Sequence, residues 1–326
     1  MKLTNLYKKN KLNKNIRLIS WGGLFYMDVK NLSNDFGVEI TNFDCSSKIQ
    51  LDEIKFLKST MQNKHFICFK NQKLDGNLLA KFTKNFGELE AYPEKDKTKG
   101  KLEIFNVSNI SEDGEHLSPD DQRVILQKNN SRWHTDSSYR YFPSSFSILF
   151  GQETLPEEAT GGQTEFSNML KAYEHLPDDK KTLLEPLHQV HSYNDIRRLE
   201  PGLPELTYEE KSNFPPVSHP VIRVHPDRNL KKSLYFTSNT SLEIGGMSLE
   251  NGKKLHSWLV EYVSQSMFCY KHFWEQNDLI MWDNRVLLHR VIPYDYSKYR
   301  RAMIRGTVEG NVPVLGPFSN EIRSTV

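Results

Sequence analysis

Hydrophobic and polar residues alternate over many short segments of the chain, and this two-residue period is typical of β-strands with one buried face. The pattern predicts strands at residues 36–40, 65–70, 145–153, 164–166, 221–224, 233–237, 268–273, 279–282, 287–292 and 302–308. Helical spacing of apolar residues predicts helices at 51–62, 76–86, 249–264 and 168–187, the last interrupted around Pro177. Many strands with distant partners and few helices predict a mainly β fold, with a closed or double-sheet core and flanking helices outside it.

Two long segments break this pattern because they are rich in polar residues, glycine and proline. They span Tyr92–Asn130 and Tyr193–Pro216. Long irregular segments within a compact domain are usually functional or mobile, so we predict that both act as lids over a site. The sequence contains no internal repeat and no linker-like tract. We therefore expect a single domain over residues 34–326, preceded by a basic extension without stable structure at residues 1–33.

The charge of the chain is distributed unevenly. Residues 1–26 contain six basic and no acidic side chains, which leaves 37 basic and 41 acidic residues in the rest of the chain. A mildly acidic body argues against nucleic acid as a partner. No apolar run has the length needed to cross a membrane. The three scattered cysteines show neither a disulfide framework nor zinc-site spacing, so a reducing, cytoplasmic location is expected.

A His-x-Asp motif, formed by His134 and Asp136, precedes the strand predicted at 145–153, and His289 lies in the strand predicted at 287–292. On a strand, residues two positions apart point to the same side. Two imidazoles and one carboxylate form the ligand set of non-haem Fe(II) oxygenases, which leaves coordination positions open on one face of the metal. The three residues therefore predict an oxygenase metal site rather than a structural one.

The short motif alone is not specific, because the chain contains a second copy, His225-Pro226-Asp227. This copy lies in a Pro-Asp-Arg-Asn stretch that is typical of a turn, and we expect its side chains to be solvated. The first copy differs because further segments of matching character follow it in a consistent order.

Four runs of sequence carry a resemblance to a known family. They are WHTDSSYRYFPSSFSILF, GGQTEFSNMLKAYEHLP, DLIMWDNRVLLHR and RRAMIRGTV. Together they resemble the taurine/2-oxoglutarate dioxygenase family, with a closer likeness to its 2,4-dichlorophenoxyacetate dioxygenase branch, from about Asp35 to Pro313. The resemblance implies a double-stranded β-helix, or jelly-roll, core. It also implies Fe(II) as the cofactor, with 2-oxoglutarate and O2 as co-substrates.

Within this resemblance, His134, Asp136 and His289 are the expected Fe(II) ligands. Related halogenases lack the carboxylate, so the presence of Asp136 favours hydroxylation. A zinc hydrolase uses the same types of ligand, but no zincin helix motif accompanies these residues. A metal-dependent hydrolase therefore stays an alternative of lower rank.

The resemblance places the far carboxylate of 2-oxoglutarate on Arg301, assisted by the hydroxyl of Thr164, since guanidinium pairs well with carboxylates. The spacing from His289 to this arginine is one residue longer than in the family, which leaves Arg300 as an alternative. Arg305 would share a face with Arg301 on a strand and is expected to bind the sulfonate or carboxylate of the substrate.

The alternative for Arg305 is a structural salt bridge, with Asp283 or Glu309 as its partner. Tyr92 lies where the family has a histidine that helps to bind sulfonate, which argues against taurine as the substrate. Together with Tyr139 and Phe142, Tyr92 is a candidate for the wall of an apolar substrate pocket, although aromatic residues near a β core more often serve ordinary packing. Trp133 and Trp282 are expected to support the neighbouring metal ligands.

These features predict an Fe(II)- and 2-oxoglutarate-dependent dioxygenase that hydroxylates a small anionic substrate and releases succinate and CO2. Hydroxylation next to a sulfonate, sulfate ester or ether oxygen would cleave a C–S or C–O bond. Two further alternatives stay open: a hydroxylase of an amino acid or biosynthetic intermediate without bond cleavage, and a non-catalytic binding protein on the same scaffold. The expected partners are a small anionic molecule and, in a homo-oligomer, further copies of the chain.

Overall fold

The structure is a computed structural model that describes residues 16–17, 27–33, 36–93, 101–240 and 242–319, with only the backbone described at 16–17, 92–93 and 101–102. Its strands are Ile16–Arg17 (β1), Asp28–Asn31 (β2), Val38–Thr41 (β3), Phe66–Phe69 (β4), Tyr92–Pro93 (β5), Lys101–Leu102 (β6), Ile104–Ser108 (β7), Phe146–Glu153 (β8), Thr164–Asn168 (β9), His188–His191 (β10), Val217–Pro220 (β11), Ile222–Val224 (β12), Lys232–Leu234 (β13), Ile244–Gly245 (β14), Cys269–His272 (β15), Leu279–Asp283 (β16), Leu287–Val291 (β17) and Ala302–Val308 (β18). Its helices are Leu51–Lys64 (α1), Gly76–Thr83 (α2), Gln122–Lys128 (α3), Met169–Glu174 (α4), Asp178–Leu184 (α5), Tyr193–Arg198 (α6), Tyr208–Asn213 (α7) and Leu249–Val263 (α8), with a 3-10 turn at Asn129–Ser131.

An eight-stranded sheet forms the larger part of the core, with the strand order β1-β2-β3-β4-β16-β8-β18-β7. β16 is antiparallel to both of its neighbours, and Trp282 lies opposite Phe66 of β4 and Ser147 of β8. The neighbouring strands β4, β16, β8 and β18 come from distant parts of the chain. Pairing between distant strands is what the sequence predicted for a mainly β fold. The β3–β4 pair is parallel, and the crossover between these strands contains α1.

A second sheet of three strands, in the order β15-β9-β17, faces the larger one. Phe166 of β9 packs against two rings of the larger sheet, with centroid distances of 5.0 Å to Phe66 and 5.5 Å to Trp282. Apolar side chains of both sheets form one buried cluster. Removing these side chains from water contributes about 25 cal/mol for each Å² of apolar surface, so the space between the sheets is a stable frame for a site.

Helices α1 and α2 cover the opposite face of the larger sheet. Leu57 of α1 and Leu79 of α2 are fully buried in the apolar cluster on that face. α2 begins after Asp75, whose carboxylate accepts a hydrogen bond of 2.8 Å from the backbone amide of Leu78. This cap satisfies one of the amide groups that have no partner inside the helix. The fold is therefore mainly β with flanking helices, as predicted.

The segment between β9 and β15 folds into a separate layer that contains two small sheets and α8. The sheets are β11-β10-β14 and β12-β13, and they share a buried apolar cluster with α8 through residues such as Phe236 and Leu259. The backbone amide of Ser238 donates a hydrogen bond of 2.7 Å to the carbonyl of Trp133. This bond joins the layer to the segment that contains the His-x-Asp motif.

Several predictions of local structure need correction. Asp28–Asn31 is a strand paired with Val38–Thr41, so the boundary placed at residue 33 falls inside the folded part. The two segments predicted to be irregular contain regular elements. Segment 92–130 contains β7 and α3, and segment 193–216 contains α6 and α7. The predicted break at Pro177 is confirmed, since α4 ends before it and α5 begins after it.

The side chain of His225 is buried rather than solvated, and its Nε2 lies 3.5 Å from Oδ2 of Asp283. The prediction that the side chains of the second His-x-Asp copy are solvated was wrong for His225. Turn-forming residues predict the local backbone, but not which parts of the fold pack against it. Of the helices within the described residues, none combines the length and the apolar character that crossing a membrane requires.

Candidate metal centre and co-substrate cavity

The structure brings His134, Asp136 and His289 together between the two sheets. One imidazole nitrogen from each histidine and a carboxylate oxygen of Asp136 lie within 4.8 Å of one another, and all three residues are buried. His134 and His289 also form an isolated antiparallel bridge, with backbone hydrogen bonds of 3.0 and 2.8 Å. Because the bridge fixes both backbones, the two imidazoles approach to 4.1 Å between ring centroids.

The two oxygens of Asp136 have different partners. Oδ2 accepts a hydrogen bond of 2.5 Å from the hydroxyl of Ser147, and Oδ1 accepts one of 2.7 Å from Nη1 of Arg305. Oδ1 is also the oxygen that lies 3.9 Å from Nε2 of His289. Burial acts to raise the pKa of Asp136, but Arg305, the two histidines and the Ser147 hydroxyl lower it to about 2. The carboxylate is therefore ionised at neutral pH, as a metal ligand must be.

Both histidines are held in the neutral form that metals bind. Burial is the main cause that lowers the pKa of His134, and it lowers the pKa of His289 well below its usual range. Nδ1 of His134 lies 2.8 Å from the carbonyl of Arg132, to which it donates, so Nε2 is left with its lone pair. Two neutral imidazoles and one carboxylate fit a divalent ion that accepts nitrogen and oxygen ligands, such as Fe(II).

A second group of metal-binding side chains, Cys68, His272 and Asp278, is less suited to an ion. Its ligand atoms also lie within 4.8 Å of one another. However, Lys70 Nζ is 2.7 Å from one oxygen of Asp278, and His272 Nε2 is 3.2 Å from the other. The carboxylate therefore already has a cationic partner, and burial raises the pKa of the Cys68 thiol, which keeps it protonated.

A cavity beside the candidate metal ligands contains both residues predicted for 2-oxoglutarate. His134, His289, Thr164 and Arg301 all line it. Arg301 is only 4% exposed, its Nε has no hydrogen-bond partner within the described residues, and no ion pair with a described carboxylate satisfies it. A buried guanidinium without a counter-charge is costly. The cavity therefore presents a cationic end to an anionic ligand.

Thr164 is oriented by a residue that the sequence analysis did not identify. Nε1 of Trp274 donates a hydrogen bond of 3.0 Å to Oγ1 of Thr164, so the threonine hydroxyl is left to donate its own proton. The Trp274 ring also lies 6.0 Å from the Arg301 guanidinium. No sequence signal links these residues, because 110 positions separate Trp274 from Thr164.

Arg300 points away from this cavity. Its Nε donates a hydrogen bond of 2.9 Å to Glu153, and the two side chains are each 41% exposed. Arg301 directly precedes β18 and Arg305 lies within it, and both line the same cavity. The geometry therefore favours Arg301 over Arg300 for the co-substrate, although the family spacing differs by one residue.

Arg305 lies between this cavity and a larger one of about 420 Å³. Arg305 forms an ion pair with Asp136, so the salt bridge to Asp283 or Glu309 that was considered from the sequence is wrong. Asp283 instead bonds Arg228 and Arg285. The guanidinium also lies 5.5 Å from the ring of Phe105, on the wall of the larger cavity.

The larger cavity has a mixed wall. Apolar and aromatic side chains line much of it, and these include Phe105, Leu126, Tyr139, Tyr193 and Ile196. These residues come from β7, α3, α6 and the segment after Asp136, so both predicted lid segments border the cavity. Such a wall suits a ligand with an apolar body and one charged end.

Asn239 is a second residue that the sequence analysis missed. It lines the larger cavity, it is 7% exposed, and its Oδ1 has no hydrogen-bond partner within the described residues. An unsatisfied buried amide oxygen is costly, and a ligand in the cavity would relieve it. Asn239 follows β13 in a stretch without chemical motifs, so its position emerges only from the fold.

The aromatic candidates differ in their placement. Tyr139 lines the larger cavity, whereas Phe142 does not line it, is 45% exposed and packs against Tyr141, in keeping with the packing alternative. The backbone of Tyr92 pairs with Leu102, whereas its side chain lies outside the described part of the structure. Trp282 packs 4.8 Å from the His289 ring, as expected for a support of that ligand.

Comparisons with known proteins agree with this site. The chain matches the family model described as taurine catabolism dioxygenase TauD, TfdA family, over residues 28–307. It is 32% identical over 286 residues to the alpha-ketoglutarate-dependent 2,4-dichlorophenoxyacetate dioxygenase of Burkholderia sp. (strain RASC), covering 86% of this chain and 93% of that protein. It is 27% identical over 298 residues to the alpha-ketoglutarate-dependent sulfate ester dioxygenase of Pseudomonas putida, covering 88% and 91%.

A solved structure also resembles the chain over nearly its whole length. The crystal structure of AAD-2 in complex with Mn(II) and N-oxalylglycine superposes with a TM-score of 0.78 at 34% identity, covering 89% of this chain and 98% of that one. The family match covers most of the chain, and the predicted resemblance is thereby confirmed. The chain therefore belongs to the TauD/TfdA family and is a 2-oxoglutarate-dependent dioxygenase, an oxidoreductase that uses Fe(II), 2-oxoglutarate and O2.

Proposed function

We propose that His134, Asp136 and His289 hold the Fe(II) of this dioxygenase, and that the two facing sheets form the double-stranded β-helix of the family. The observation that carries the assignment is the position of the three side chains. Their ligand atoms converge at one buried point, and His134 and His289 line the cavity that also contains Arg301. Among the described residues, the second group that could hold a metal has Lys70 against its carboxylate.

Arg301 and Thr164 are proposed to bind the far carboxylate of 2-oxoglutarate. The buried guanidinium supplies the charge, and the Thr164 hydroxyl, fixed by Trp274, supplies a further donor. The opposite end of the co-substrate then lies towards His134 and His289, because these line the same cavity. With Fe(II) bound, oxidative decarboxylation of 2-oxoglutarate supplies the oxidant that hydroxylates a C–H bond, with succinate and CO2 as co-products.

The substrate is proposed to be a small anion with an apolar body, bound in the larger cavity. Arg305 would bind its carboxylate, sulfate ester or sulfonate, while Phe105, Leu126 and Tyr139 contact the body. The similarity to a phenoxyacetate dioxygenase and to a sulfate ester dioxygenase supports this class. With such a substrate, hydroxylation beside the ether or ester oxygen would cleave a C–O bond. Tyr92 is also proposed to contact the substrate.

The residues around the site have defined tasks in this reaction. Ser147 and Arg305 orient the Asp136 carboxylate, and the backbone bridge between His134 and His289 fixes the imidazoles. The segments that contain α3 and α6 border the larger cavity and would exclude water when substrate is bound. Four further expectations stay predictions: a single domain, a homo-oligomeric assembly, a cytoplasmic location and the absence of a nucleic-acid partner.

Succinate release tests the proposal, measured with Fe(II), ascorbate and O2 across aryloxyacetates, alkyl sulfate esters, alkyl sulfonates and amino acids. We expect one of the anionic classes with an apolar body to stimulate release strongly. Stimulation by amino acids alone would contradict the proposed substrate class. Substrate turnover without O2 or 2-oxoglutarate would contradict the proposed reaction and favour a hydrolase.

A further inference from the structure

Tyr294 contributes a buried hydroxyl to the cavity that contains Arg301, in addition to the hydroxyl of Thr164. The residue lines this cavity and is 8% exposed. Its phenolic oxygen has no hydrogen-bond partner within the described residues, and neither has Nε of Arg301. Leaving a buried polar group unpaired is costly. Two unpaired groups on one cavity therefore indicate a ligand that satisfies both.

Tyr294 and Arg301 also influence each other electrostatically. Burial raises the pKa of the Tyr294 phenol, and the positive charge of Arg301 opposes that rise. Burial lowers the pKa of Arg301, and Tyr294 opposes that fall more strongly than Tyr296 does. Because its pKa lies above the usual range, the phenol keeps its proton at neutral pH and can donate one hydrogen bond. A guanidinium only donates, so a ligand that satisfies both groups must accept.

The backbone that positions Thr164 also positions Tyr294. Thr164 pairs with Val291 in the ladder between β9 and β17, three residues before Tyr294. A Cβ on Gly161 would lie 1.9 Å from the carbonyl oxygen of Pro293, so the close approach of these two segments requires glycine. The two hydroxyl-bearing residues are therefore held by one packed backbone unit.

The ring of Tyr294 is held by its stack with Tyr296. Their ring centroids are 4.0 Å apart, and their planes are inclined by 28°. The fully buried Asn109 fixes the segment that follows. Its Oδ1 accepts a hydrogen bond of 2.7 Å from the backbone amide of Arg301, and its Nδ2 donates one of 2.8 Å to the carbonyl of Tyr299. The phenol is thus positioned before a ligand arrives, so binding costs little ordering entropy.

We propose that the Tyr294 hydroxyl is a third donor to the far carboxylate of 2-oxoglutarate, beside Arg301 and Thr164. The role rests on the proposed function, because the Arg301 end of the cavity must hold that carboxylate. An ionised carboxylate has two oxygens and about four acceptor positions, so it can accept from all three side chains. Hydrogen bonds to an ionised group are stronger than neutral ones. The three donors together make this end selective for 2-oxo acids with a second carboxylate.

Binding of two chelating analogues to the Mn(II)-loaded chain tests this role, measured by isothermal titration calorimetry. N-oxalylglycine has a far carboxylate, whereas oxalate chelates a metal and has none. We expect Y294F to bind N-oxalylglycine about 10-fold more weakly than the wild-type chain, as one hydrogen bond to a charged group predicts, and to bind oxalate unchanged. Y299F is the matched control with unchanged affinities, because Tyr299 packs against the same apolar cluster but does not line the cavity.

Unfolding temperatures separate ligand binding from structural support. The Tyr294 hydroxyl has no partner in the described part of the ligand-free chain, so Y294F should unfold at the wild-type temperature or above it. Mn(II) with N-oxalylglycine should raise the unfolding temperature less in Y294F than in the wild-type chain, since this rise follows the affinity for the native state. A lower unfolding temperature of ligand-free Y294F would show that the hydroxyl supports the fold, and would overturn the proposal.

R301M distinguishes failure of this role from failure of the proposed function. Weaker N-oxalylglycine binding by R301M, with wild-type binding by Y294F, would overturn the role of Tyr294 and leave Arg301 at the co-substrate. Wild-type binding by both variants would overturn the proposed function as well. Equal weakening of both analogues by Y294F would place its effect at the metal rather than at the far carboxylate, which also overturns the role.

The wild-type chain allows a measurement that needs no variant. In a crystal structure with Mn(II) and N-oxalylglycine, we expect the Tyr294 hydroxyl at about 2.5–3.0 Å from an oxygen of the far carboxylate. A separation above about 3.5 Å, or a water molecule between the two groups, would overturn the proposal. This structure decides the question if Y294F does not fold.

Discussion

The two ends of the active-site cavity are built differently, although β18 and the residue directly before it contribute one arginine to each. The end that contains Arg301 is bordered mainly by strand residues and by the buried rings of Tyr294 and Tyr296, and the partly buried Trp274 lies beside the guanidinium. The end that contains Arg305 opens into the larger cavity, whose wall includes α3, α6 and connecting segments as well as strand residues of β7 and β18. The first end suits a ligand that every family member shares, and the second suits a ligand that differs between members. This contrast teaches that strands close most of the co-substrate end, whereas helices and connecting segments shape much of the substrate end.

The largest effect is expected from Asp136, which lies where the two ends meet. D136A removes the carboxylate from the proposed ligand set, so both 2-oxoglutarate turnover and retention of Mn(II) in equilibrium dialysis should fall to background. Far-UV circular dichroism provides the control for folding. Substantial turnover by a folded D136A protein would remove Asp136 from the site.

R301M should affect the co-substrate end selectively. Two lost charge-assisted hydrogen bonds, at about 1.5 kcal/mol each, predict a KM for 2-oxoglutarate that is about 100-fold higher. R300M is the matched control, because Arg300 bonds the exposed Glu153 and should leave this KM unchanged. A larger effect in R300M than in R301M would reverse the assignment and show that the extra residue of spacing shifts the role.

R305Q should affect the substrate end. Loss of the anion contact predicts a KM for the primary substrate that is about 10- to 100-fold higher, with a much smaller change in the KM for 2-oxoglutarate. Since the variant also removes a positive charge from beside Asp136, Mn(II) should be retained at least as tightly as in the wild-type chain. Weaker Mn(II) retention would mean that Arg305 serves mainly to position the metal ligand.

The smallest effect is expected from W274F, which keeps an aromatic ring beside Arg301 but removes the donor to Thr164. One neutral hydrogen bond of about 1 kcal/mol predicts a rise of about fivefold in the KM for 2-oxoglutarate. The variant T164V should cause at least as large a rise, and the double variant should show little further change. Fully additive effects would show that the two residues act separately.

Residues of the strands could be predicted from sequence, because a strand has a fixed period. The two-residue spacing correctly placed Arg301 and Arg305 on one cavity, and the mainly β architecture followed from the number of alternating segments. The helices within 92–130 and 193–216 were missed, because each has only six or seven residues and shows no sustained helical period. Side chains of α3 and α6 nevertheless border the larger cavity, and a role of these segments as lids stays a prediction.

Contacts between distant residues could not be predicted in the same way. The pairing of Arg305 with Asp136 joins residues that are 169 positions apart, and neither of the partners considered from sequence was correct. Asn239 and Trp274 belong to no chemical motif and became visible only through the buried groups near them. Sequence patterns therefore predict which face a residue occupies, whereas its partner depends on how the faces meet.

Trp282 gives the metal centre an optical reporter of its own. Its indole is 1% exposed, donates a hydrogen bond of 2.8 Å to Asn284, and lies 4.8 Å from the His289 ring between centroids. An open-shell ion coordinated by His289 would quench the fluorescence of this indole at such short range, whereas a closed-shell ion such as Zn(II) would not. Loading of the site can consequently be followed by emission spectroscopy in real time, without a dye and before any substrate is known.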